Sequence, residues 1–193
     1  MRGPDLDATV SPQSDIIELY TADTRGFRAA VGPLLAGWGV ATPARRDAIA
    51  AGPAAFDPPD GPHASARTHE LCWRTWLLDA APAGITLCGP AYQDTPILAT
   101  NRTLRRLTGY AAAELHGRNP RLLQGPDTDP AAVARLREAI AIWSPVSVVL
   151  TNHRADGSPY RSRLALQPLA DRTGEIAHWV AVQTPVGDAP PDP

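Results

Sequence analysis

Two adjoining segments decide the fold: Gly117–Gly125, with the sequence GRNPRLLQG, and Asp127–Ile140, with the sequence DTDPAAVARLREAI. In each segment, a capping residue followed by proline is typical of the first turn of a helix. The first segment predicts a short helix over 119–124, which Gly125 closes. The second predicts a longer helix to about Ile142, because its apolar residues recur at three- and four-residue spacing.

Short apolar segments separated by turn residues flank these two helices. The predicted strands are Gly84–Cys88, Pro96–Thr100, Val146–His153, Pro159–Pro168 and Ile176–Thr184. Asp156-Gly157 and Thr173-Gly174 mark hairpin turns between the last three strands, and a further helix is predicted over Asn101–Thr108. The pattern predicts an α+β fold in which a five-stranded antiparallel sheet carries helices on one face.

The part of the chain before the first strand is predicted to be helical. Apolar residues recur at helical spacing from Ser14 to Trp38, and a Pro-rich stretch at Pro53–Pro62 is predicted to be a linker. The amphipathic stretch Ala64–Ala80 carries its apolar face on Leu71, Trp76 and Leu77. The predicted organisation is a helical region with linker at 1–63, a helix at 64–82, a strand-and-helix domain at 83–187 and a disordered tail at 188–193.

Composition excludes several classes of function. The net charge is −2 and all 18 basic residues are arginine, so no nucleic-acid or membrane partner is expected. Two cysteines are too few for a disulfide scaffold, and no spacing typical of a metal site occurs. With no signal peptide and no apolar run of membrane-spanning length, we expect a cytoplasmic protein. No nucleophile–base pair or Gly-rich phosphate loop is present, so no enzyme activity is expected.

Three polar residues break the apolar pattern of the last three strands. Asn152, Ser162 and Gln183 each share a strand face with apolar residues. On a covered face they would bring hydrogen-bonding groups into an apolar pocket, which suits the edge of a heteroaromatic ring. The alternative, left open by the pattern, is that they are solvated strand ends.

Two arginines are placed for an anionic ligand. Arg137 lies on or beside the apolar stripe of the longer helix, and Arg121 lies on the short helix before it. Two guanidinium groups at one pocket mouth suit a phosphate monoester. The alternative is an ordinary surface arginine, or a pair with Glu138 or Asp127.

Beyond these physical arguments, about half of the chain, Ala83–Val186, resembles the LOV subclass of PAS domains. The segments that carry the resemblance are Leu107–Tyr110 (LTGY), Gly117–Gly125, Asp127–Ile140, Asn152–Gly157 (NHRADG) and Val180–Gln183 (VAVQ). The overall plan resembles the short LOV proteins, which consist of the sensor domain and flanking helices. LOV domains bind FMN non-covalently and sense blue light, so the resemblance implies FMN, with FAD or riboflavin as alternatives.

The resemblance also implies roles for individual residues. It places Arg121 and Arg137 at the phosphate, Asn152 at the pyrimidine edge, and Gln183 near the ring atoms N5 and O4, where its amide passes on the signal. The flavin-binding residues predicted in this way are Cys88, Asn119, Arg121, Leu123, Gln124, Arg137, Asn152, Ser162, Leu166 and Gln183.

The chain departs from the LOV pattern at the residue on which its photochemistry depends. Pro120 stands where the family has the cysteine that adds to the flavin in light. Proline has no nucleophile, so the usual adduct cannot form and photoreduction is the expected alternative. Ser162 stands in place of a second ring-reading asparagine. Cys88 lies at a family position near the ring, and we interpret it as a small buried residue, the alternative being a relocated reactive thiol.

Two functions of different classes follow from these observations. The first is a flavin-binding sensor of blue light or redox state, and the second is a PAS-type interaction module that has lost flavin. The outer face of the sheet should carry Val149, Ala165, Val180 and Val182, and we expect the helix at Ala64–Ala80 to cover it in a homodimer, with residues 14–51 adding to the contact. The alternative is a monomer whose helix covers its own sheet. We also expect a downstream protein partner, which the sequence does not identify. DNA binding by residues 14–56 is not favoured, because acidic residues offset the basic ones there.

Overall fold

The computed structural model describes residues 11–57, 65–171 and 173–187. Its five strands are β1 Gly84–Cys88, β2 Ile97–Thr100, β3 Val146–His153, β4 Pro159–Ala170 and β5 Ile176–Pro185. They form one antiparallel sheet in the order β2-β1-β5-β4-β3, which confirms the predicted fold class. The predicted tail at 188–193 lies outside the described residues.

Among the described residues before the sheet there are four α-helices: α1 Pro12–Thr21, α2 Thr24–Gly37, α3 Pro43–Ala51 and α4 Ala66–Leu77. The sequence predicted one helical stretch from Ser14 to Trp38, whereas the structure starts a new helix after Asp23. The Asp23 carboxylate accepts a hydrogen bond from the Gly26 amide at 2.6 Å, and such a cap begins a helix. The apolar spacing continues through the break, which is why the pattern alone concealed it.

The linker predicted at Pro53–Pro62 begins inside the packed structure. Pro53–Ala55 form a turn of 3₁₀-helix, and the Phe56 ring lies 5.6 Å from the rings of both His69 and Trp76. Residues 58–64 lie outside the described residues. The part of the predicted linker that is described therefore packs against α4.

The N-terminal helices cover the outer face of the sheet. Side chains of this face that are fully buried under them are Ile85, Leu87, Val180 and Val182. The sequence predicted that the Ala64–Ala80 helix would cover this face, but α1 contacts β4 and β5 while α4 contacts β1 and β2. Ala165 is also buried, whereas Val149, predicted for the same face, is only half-buried because it lies on the edge strand β3.

The apolar face of α4 differs by one position from the prediction. Leu71 and Leu77 are fully buried, but Trp76 is 41% exposed, and Trp73 takes the inward position instead. Trp73 packs on Phe27 of α2 with ring centroids 5.2 Å apart. Because the helix packs on two neighbours at once, its buried face is wider than the stripe visible in the sequence.

One polar side chain of α1 is inserted against the sheet. Gln13 is buried, and its Nε2 donates to the carbonyl of Val182 at 2.7 Å and to that of Arg163 at 3.2 Å. These two hydrogen bonds join α1 to the backbone of both β4 and β5 and so hold the helix against the sheet.

The inner face is covered by the helices between β2 and β3. They are α5 Arg102–Thr108, α6 Ala112–Leu115, a 3₁₀ turn at Pro120–Leu123 and α7 Pro130–Ala141. Asn101 and Asp129 cap α5 and α7 through their side chains, as the sequence indicated. The sequence did not predict α6, because four residues are too few to show a period. In the described part of the chain, no helix is both long enough and apolar enough to cross a membrane.

Candidate functional site

A cavity of about 270 Å³ lies between the inner face of the sheet and the helices that cover it. Its walls are mostly aliphatic, and its polar groups gather at two ends. The lining residues are Thr86, Cys88, Thr95, Asn119, Pro120, Arg121, Leu123, Gln124, Val133, Leu136, Arg137, Ile140, Leu150, Asn152, Leu164, Leu166, Ala181 and Gln183. Such a mixture of apolar walls and few polar groups is typical of a small-molecule site.

Two amides form the polar end on the sheet. Asn152 and Gln183 are buried, and Asn152 Nδ2 donates to Gln183 Oε1 at 3.5 Å, a distance at which a hydrogen bond is weak. Tyr160 also donates from its hydroxyl to Gln183 Oε1, at 3.2 Å. Burial raises the pKa of Tyr160 to about 12, so the phenol stays protonated and donates. The amides are therefore held in place but not saturated by strong bonds.

Two arginines form the polar end at the mouth of the cavity. The side chains of Arg121 and Arg137 line the cavity and are exposed to solvent. Arg121 pairs with the exposed carboxylate of Asp94, and Asn119 Nδ2 donates to the Asp94 carbonyl at 2.6 Å. Of the alternatives weighed for these arginines, neither the pair with Glu138 nor that with Asp127 occurs among the described residues.

The turn at the mouth follows the local chemistry of its sequence. The Asn119 Oδ1 atom accepts from the Arg121 amide at 2.8 Å and caps the 3₁₀ turn, in which Pro120 takes the first position. A proline is tolerated there because its missing N–H would have no partner in the helix. The proline therefore leaves the side chains of both neighbours, Asn119 and Arg121, at the cavity.

Gly125, which ends the same segment, is required by close packing. A Cβ atom built on Gly125 would lie 2.3 Å from Nδ1 of the His153 ring. His153 is buried at the end of β3, and its Nε2 lies 3.1 Å from the Asp127 carboxylate. Any larger residue at Gly125 would displace this imidazole and with it the end of the strand that carries Asn152.

Cys88 lies in the wall of the cavity on β1. Its side chain is buried, and burial raises the pKa of the thiol to about 12. A thiol is nucleophilic only as the thiolate, so this one is protonated at neutral pH and unreactive toward electrophiles. This environment agrees with the interpretation of Cys88 as a small buried residue.

The structure brings together nine of the ten predicted flavin residues and places Ser162 elsewhere. Ser162 is fully buried on the same face of the sheet, but it does not line the cavity. It pairs with Leu150 on one side and Pro185 on the other, and its hydroxyl has no hydrogen-bond partner among the described residues. The alternation of residues along β4 correctly predicted which face of the sheet carries Ser162. It did not predict how far the cavity extends along that strand.

Sequence reasoning missed Thr86 and Thr95, which line the cavity, and two polar residues outside it, Asp94 and Tyr160, which hold its polar side chains. Asp94, which holds Arg121, lies in the loop between β1 and β2, where it and Thr95 both have positive φ angles of 64° and 51°. Nothing in the sequence indicates that this loop contacts Asn119 and Arg121 at the start of the 3₁₀ turn, about 25 residues further along the chain. Tyr160 lies on the same strand face as Ser162 and Leu164, so the alternation of β4, traced one residue pair further, would have found it.

Comparisons with known proteins agree with this geometry. A family model for the PAS domain matches residues 82–184. The chain is 34% identical over 112 residues to the "Blue-light-activated histidine kinase" of Brucella anthropi, a match that covers 58% of this chain and 23% of the kinase. The chain therefore spans under a quarter of the length of that relative.

Two solved structures share both fold and sequence with the chain. The LOV domain of the blue-light activated histidine kinase of Erythrobacter litoralis is 36% identical, with a TM-score of 0.52, over 55% of this chain and 98% of that domain. A structure described as "Flavin Analogue Sheds Light on Light-Oxygen-Voltage Domain Mechanism" is 37% identical, with a TM-score of 0.55, over 57% of this chain and 82% of that one. Because the family model matches more than half of its residues, the chain belongs to the PAS domain family, and its relatives and structural neighbours include blue-light-activated histidine kinases and LOV domains.

Proposed function

We propose that the chain is a flavin-binding sensory module of the LOV type that responds to blue light or to redox state. The observation that carries the proposal is the cavity, with aliphatic walls, two amides on the sheet and two arginines at the mouth. A flavin has a matching distribution of chemistry, since its ring is apolar on both faces and hydrogen-bonding at one edge. The arginines Arg121 and Arg137 favour FMN, because a phosphate monoester accepts charge-assisted bonds from both.

The chain's own residues direct the chemistry of such a ligand away from a covalent bond. A bound flavin supplies absorption of blue light and the ability to accept electrons. Pro120 offers no nucleophile at the mouth, and the protonated, buried thiol of Cys88 offers none at the wall. We therefore propose that photoreduction, and not adduct formation, is the light response.

The choice among flavins depends on Arg121. In the structure its guanidinium pairs with the Asp94 carboxylate, which competes with a phosphate for the same donors. When FMN binds, its phosphate must replace the Asp94 carboxylate as the partner of Arg121. Riboflavin has no phosphate, so it leaves the ion pair between Arg121 and Asp94 intact. We propose FMN as the ligand because Arg137 remains available at the same mouth, and FAD or riboflavin as the alternatives that the experiment below separates.

The route by which the site reaches the N-terminal helices is proposed to run through β5. Gln183 faces the cavity, and the carbonyl of the preceding Val182 accepts the hydrogen bond from Gln13 of α1 on the opposite side of the sheet. A change in the hydrogen bonding of the Gln183 amide shifts the peptide that α1 holds. Output would then pass through α1 and α4 to a second copy of the chain or to a separate protein, and the homodimer remains part of this proposal.

Titration with flavins tests the ligand. The purified chain, stripped of any bound flavin, is titrated separately with FMN, FAD and riboflavin while flavin fluorescence is followed. We expect saturable binding of FMN and persistent green fluorescence in blue light, because no adduct quenches it. Absence of saturable binding for every flavin would leave only an interaction module without flavin.

A substitution at Pro120 tests the position of the missing thiol. Because Asn119 and Arg121 frame the site and both line the cavity, Pro120→Cys is expected to create a chain that bleaches reversibly in blue light. Pro120→Ser, which offers no thiol, is the matched control and should not bleach. A flavin-loaded Pro120→Cys chain that never bleaches would mean that residue 120 does not face the reactive part of the ring.

A further inference from the structure

Two tryptophan rings are stacked between the wall of the cavity and the protein surface. Trp179 lies on β5 and is fully buried, while Trp143 follows α7 and is 42% exposed. Their ring centroids are 6.0 Å apart and their planes differ by 15°. The three other tryptophans of the chain, Trp38, Trp73 and Trp76, belong to the N-terminal helices and their margins. The stacked pair is thus the indole pair of the domain that contains the cavity.

The backbone of Trp143 is unfavourable for so large a residue. Its φ angle is 54°, in the left-handed region, where the residue after a helix is usually glycine. The Ser144 amide donates to the Ala139 carbonyl at 2.9 Å, which is the bond expected of such a helix end. A side chain in this conformation costs about 1–2 kcal/mol. The stacking of the Trp143 ring on Trp179 is the contact that offsets this backbone cost.

Trp179 adjoins the cavity through its neighbours in the sheet. Its cross-strand partner on β1 is Cys88, and Ala181 is the next residue of β5 on the same face. Both neighbours line the cavity. Directly opposed residues of an antiparallel pair have Cβ atoms about 4.5–5.5 Å apart, so the Trp179 indole lies one side chain away from a ligand in the cavity.

The surroundings of the two indole N–H groups differ. Trp179 Nε1 is buried and has no hydrogen-bond acceptor among the described residues. An indole that loses an electron there has no group to which it can pass its proton, so the positive charge stays mobile. Trp143 is exposed to water, where the oxidised indole can release its proton and be reduced from solution.

Resting on the proposed function, we propose that Trp179 and Trp143 form an electron relay from the surface to a light-excited flavin in the cavity. One electron passes from the Trp179 indole to the excited flavin, and one from Trp143 refills Trp179. A soluble thiol then returns an electron and a proton to Trp143, which replaces the proton that the oxidised indole released to water. Two such cycles deliver two electrons to the flavin, which takes two protons from water, and convert two thiols into one disulfide.

Tyr160 is the competing electron donor of the inner face. Its hydroxyl donates to Gln183 Oε1 at 3.2 Å, so Tyr160, like Trp179, adjoins the cavity without lining it. A phenol must lose its proton when it is oxidised, and the amide oxygen that accepts its hydrogen bond is a weak base. Trp179 needs no proton acceptor, which makes it the better donor.

Photoreduction of the full FMN-loaded chain, without oxygen and with excess dithiothreitol, tests the relay. Under fixed blue light, Trp179→Phe is expected to slow the loss of oxidised-flavin absorbance by about tenfold or more and to raise flavin fluorescence. Trp143→Gly removes the outer ring and relieves the backbone, so it should keep the fold and slow reduction to an intermediate rate. Trp76→Phe, a half-exposed tryptophan beyond the sheet, is the matched control and should match the wild type.

Circular dichroism of the flavin-free chain provides a readout independent of the ligand. The stacked indoles should give an exciton couplet that disappears in both Trp179→Phe and Trp143→Gly and persists in Trp76→Phe. The relay is overturned if flavin-loaded Trp179→Phe is reduced at the wild-type rate, or if Tyr160→Phe removes most of the rate instead. A chain that holds no flavin would overturn the proposed function, and the relay with it.

Discussion

The two faces of β5 differ in what covers them. Val180 and Val182 point to the N-terminal helices and are fully buried in an apolar cluster. Ala181 and Gln183 point the other way and line the cavity. One strand thus places two valines where the sheet is fully packed, and a small and a polar residue where its other face borders the cavity. The comparison teaches that the protein's own helices fill the outer face at this end of the strand, whereas the inner face leaves an open volume there.

Removal of the helices should have the largest effect. A chain that starts at Gly84 exposes Ile85, Leu87 and the outer face of β5, which are fully buried in the intact chain. Apolar surface of that extent drives aggregation, so the shortened chain is expected to be insoluble or to lose cooperative unfolding. Solubility and circular dichroism on heating check this. A soluble fragment with a sharp transition near that of the full chain would show that the helices are not needed for the fold.

Leucine-to-alanine substitutions on the two faces sharpen the comparison. Leu71 of α4 is fully packed, so Leu71→Ala should reduce the free energy of unfolding by about 2–5 kcal/mol. Leu150 borders the cavity, where fewer atoms contact it, so Leu150→Ala should cost less in the flavin-free chain. Urea unfolding with and without FMN measures both. FMN should increase the reduction in unfolding free energy caused by Leu150→Ala and leave that caused by Leu71→Ala unchanged. An equal effect of FMN on both variants would contradict the assignment of the cavity.

A titratable group on the outer face gives a pH dependence. His178 donates to or accepts from Thr68 Oγ1 at 2.9 Å, and burial, with the charge of Arg67, lowers its pKa from 6.5 to about 4. The unfolded chain therefore binds this proton more readily than the folded chain. The stabilisation is full above pH 6.5 and is lost as the pH falls toward 4, by about 3 kcal/mol. Urea unfolding of the wild type and of His178→Gln at several pH values between 4 and 6.5 isolates the contribution of this histidine. If the unfolding free energy of the variant depends on pH as steeply as that of the wild type, His178 is not the source of the pH dependence.

The arginines at the mouth should have the smallest effect on stability and a selective effect on ligand. Arg121→Ala and Arg137→Ala are each expected to weaken FMN by about 1.5–3 kcal/mol and riboflavin hardly at all. Arg135→Ala is a matched control on α7, since Arg135 does not line the cavity. Asp94→Asn should tighten FMN because it frees Arg121. Equal losses of FMN and riboflavin would mean that these arginines do not hold a phosphate.

The sequence predicted most of the sheet because its turns and alternation are local. Gly84–Cys88 and Val146–His153 were predicted with the bounds that the structure has. The break at Asp23 and the outward position of Trp76 were missed, because both depend on which helix packs beside which. Periodicity reports that a face is apolar, and it does not report the neighbour that covers it.

The sequence predicted some residues of the candidate site and missed others, for a similar reason. Residues such as Arg137 and Gln183 stood out because they interrupt an apolar pattern. Asp94 did not, since an acidic residue in a loop is unremarkable until its partner is known. Ser162 broke the pattern as clearly as Gln183 did, yet it is not among the residues that line the cavity, and the alternation along a strand does not show where a cavity ends.

The absorption spectrum of the purified full-length chain, before and during blue light, tests the central claim most directly. We expect the spectrum of an oxidised flavin, which stays unchanged in air under blue light and bleaches only without oxygen and with a thiol present. A colourless chain that cannot be loaded with FMN would contradict the assignment of the cavity. A chain that bleaches in air and recovers in the dark would contradict the claim that the site, with Pro120 at its mouth, forms no adduct.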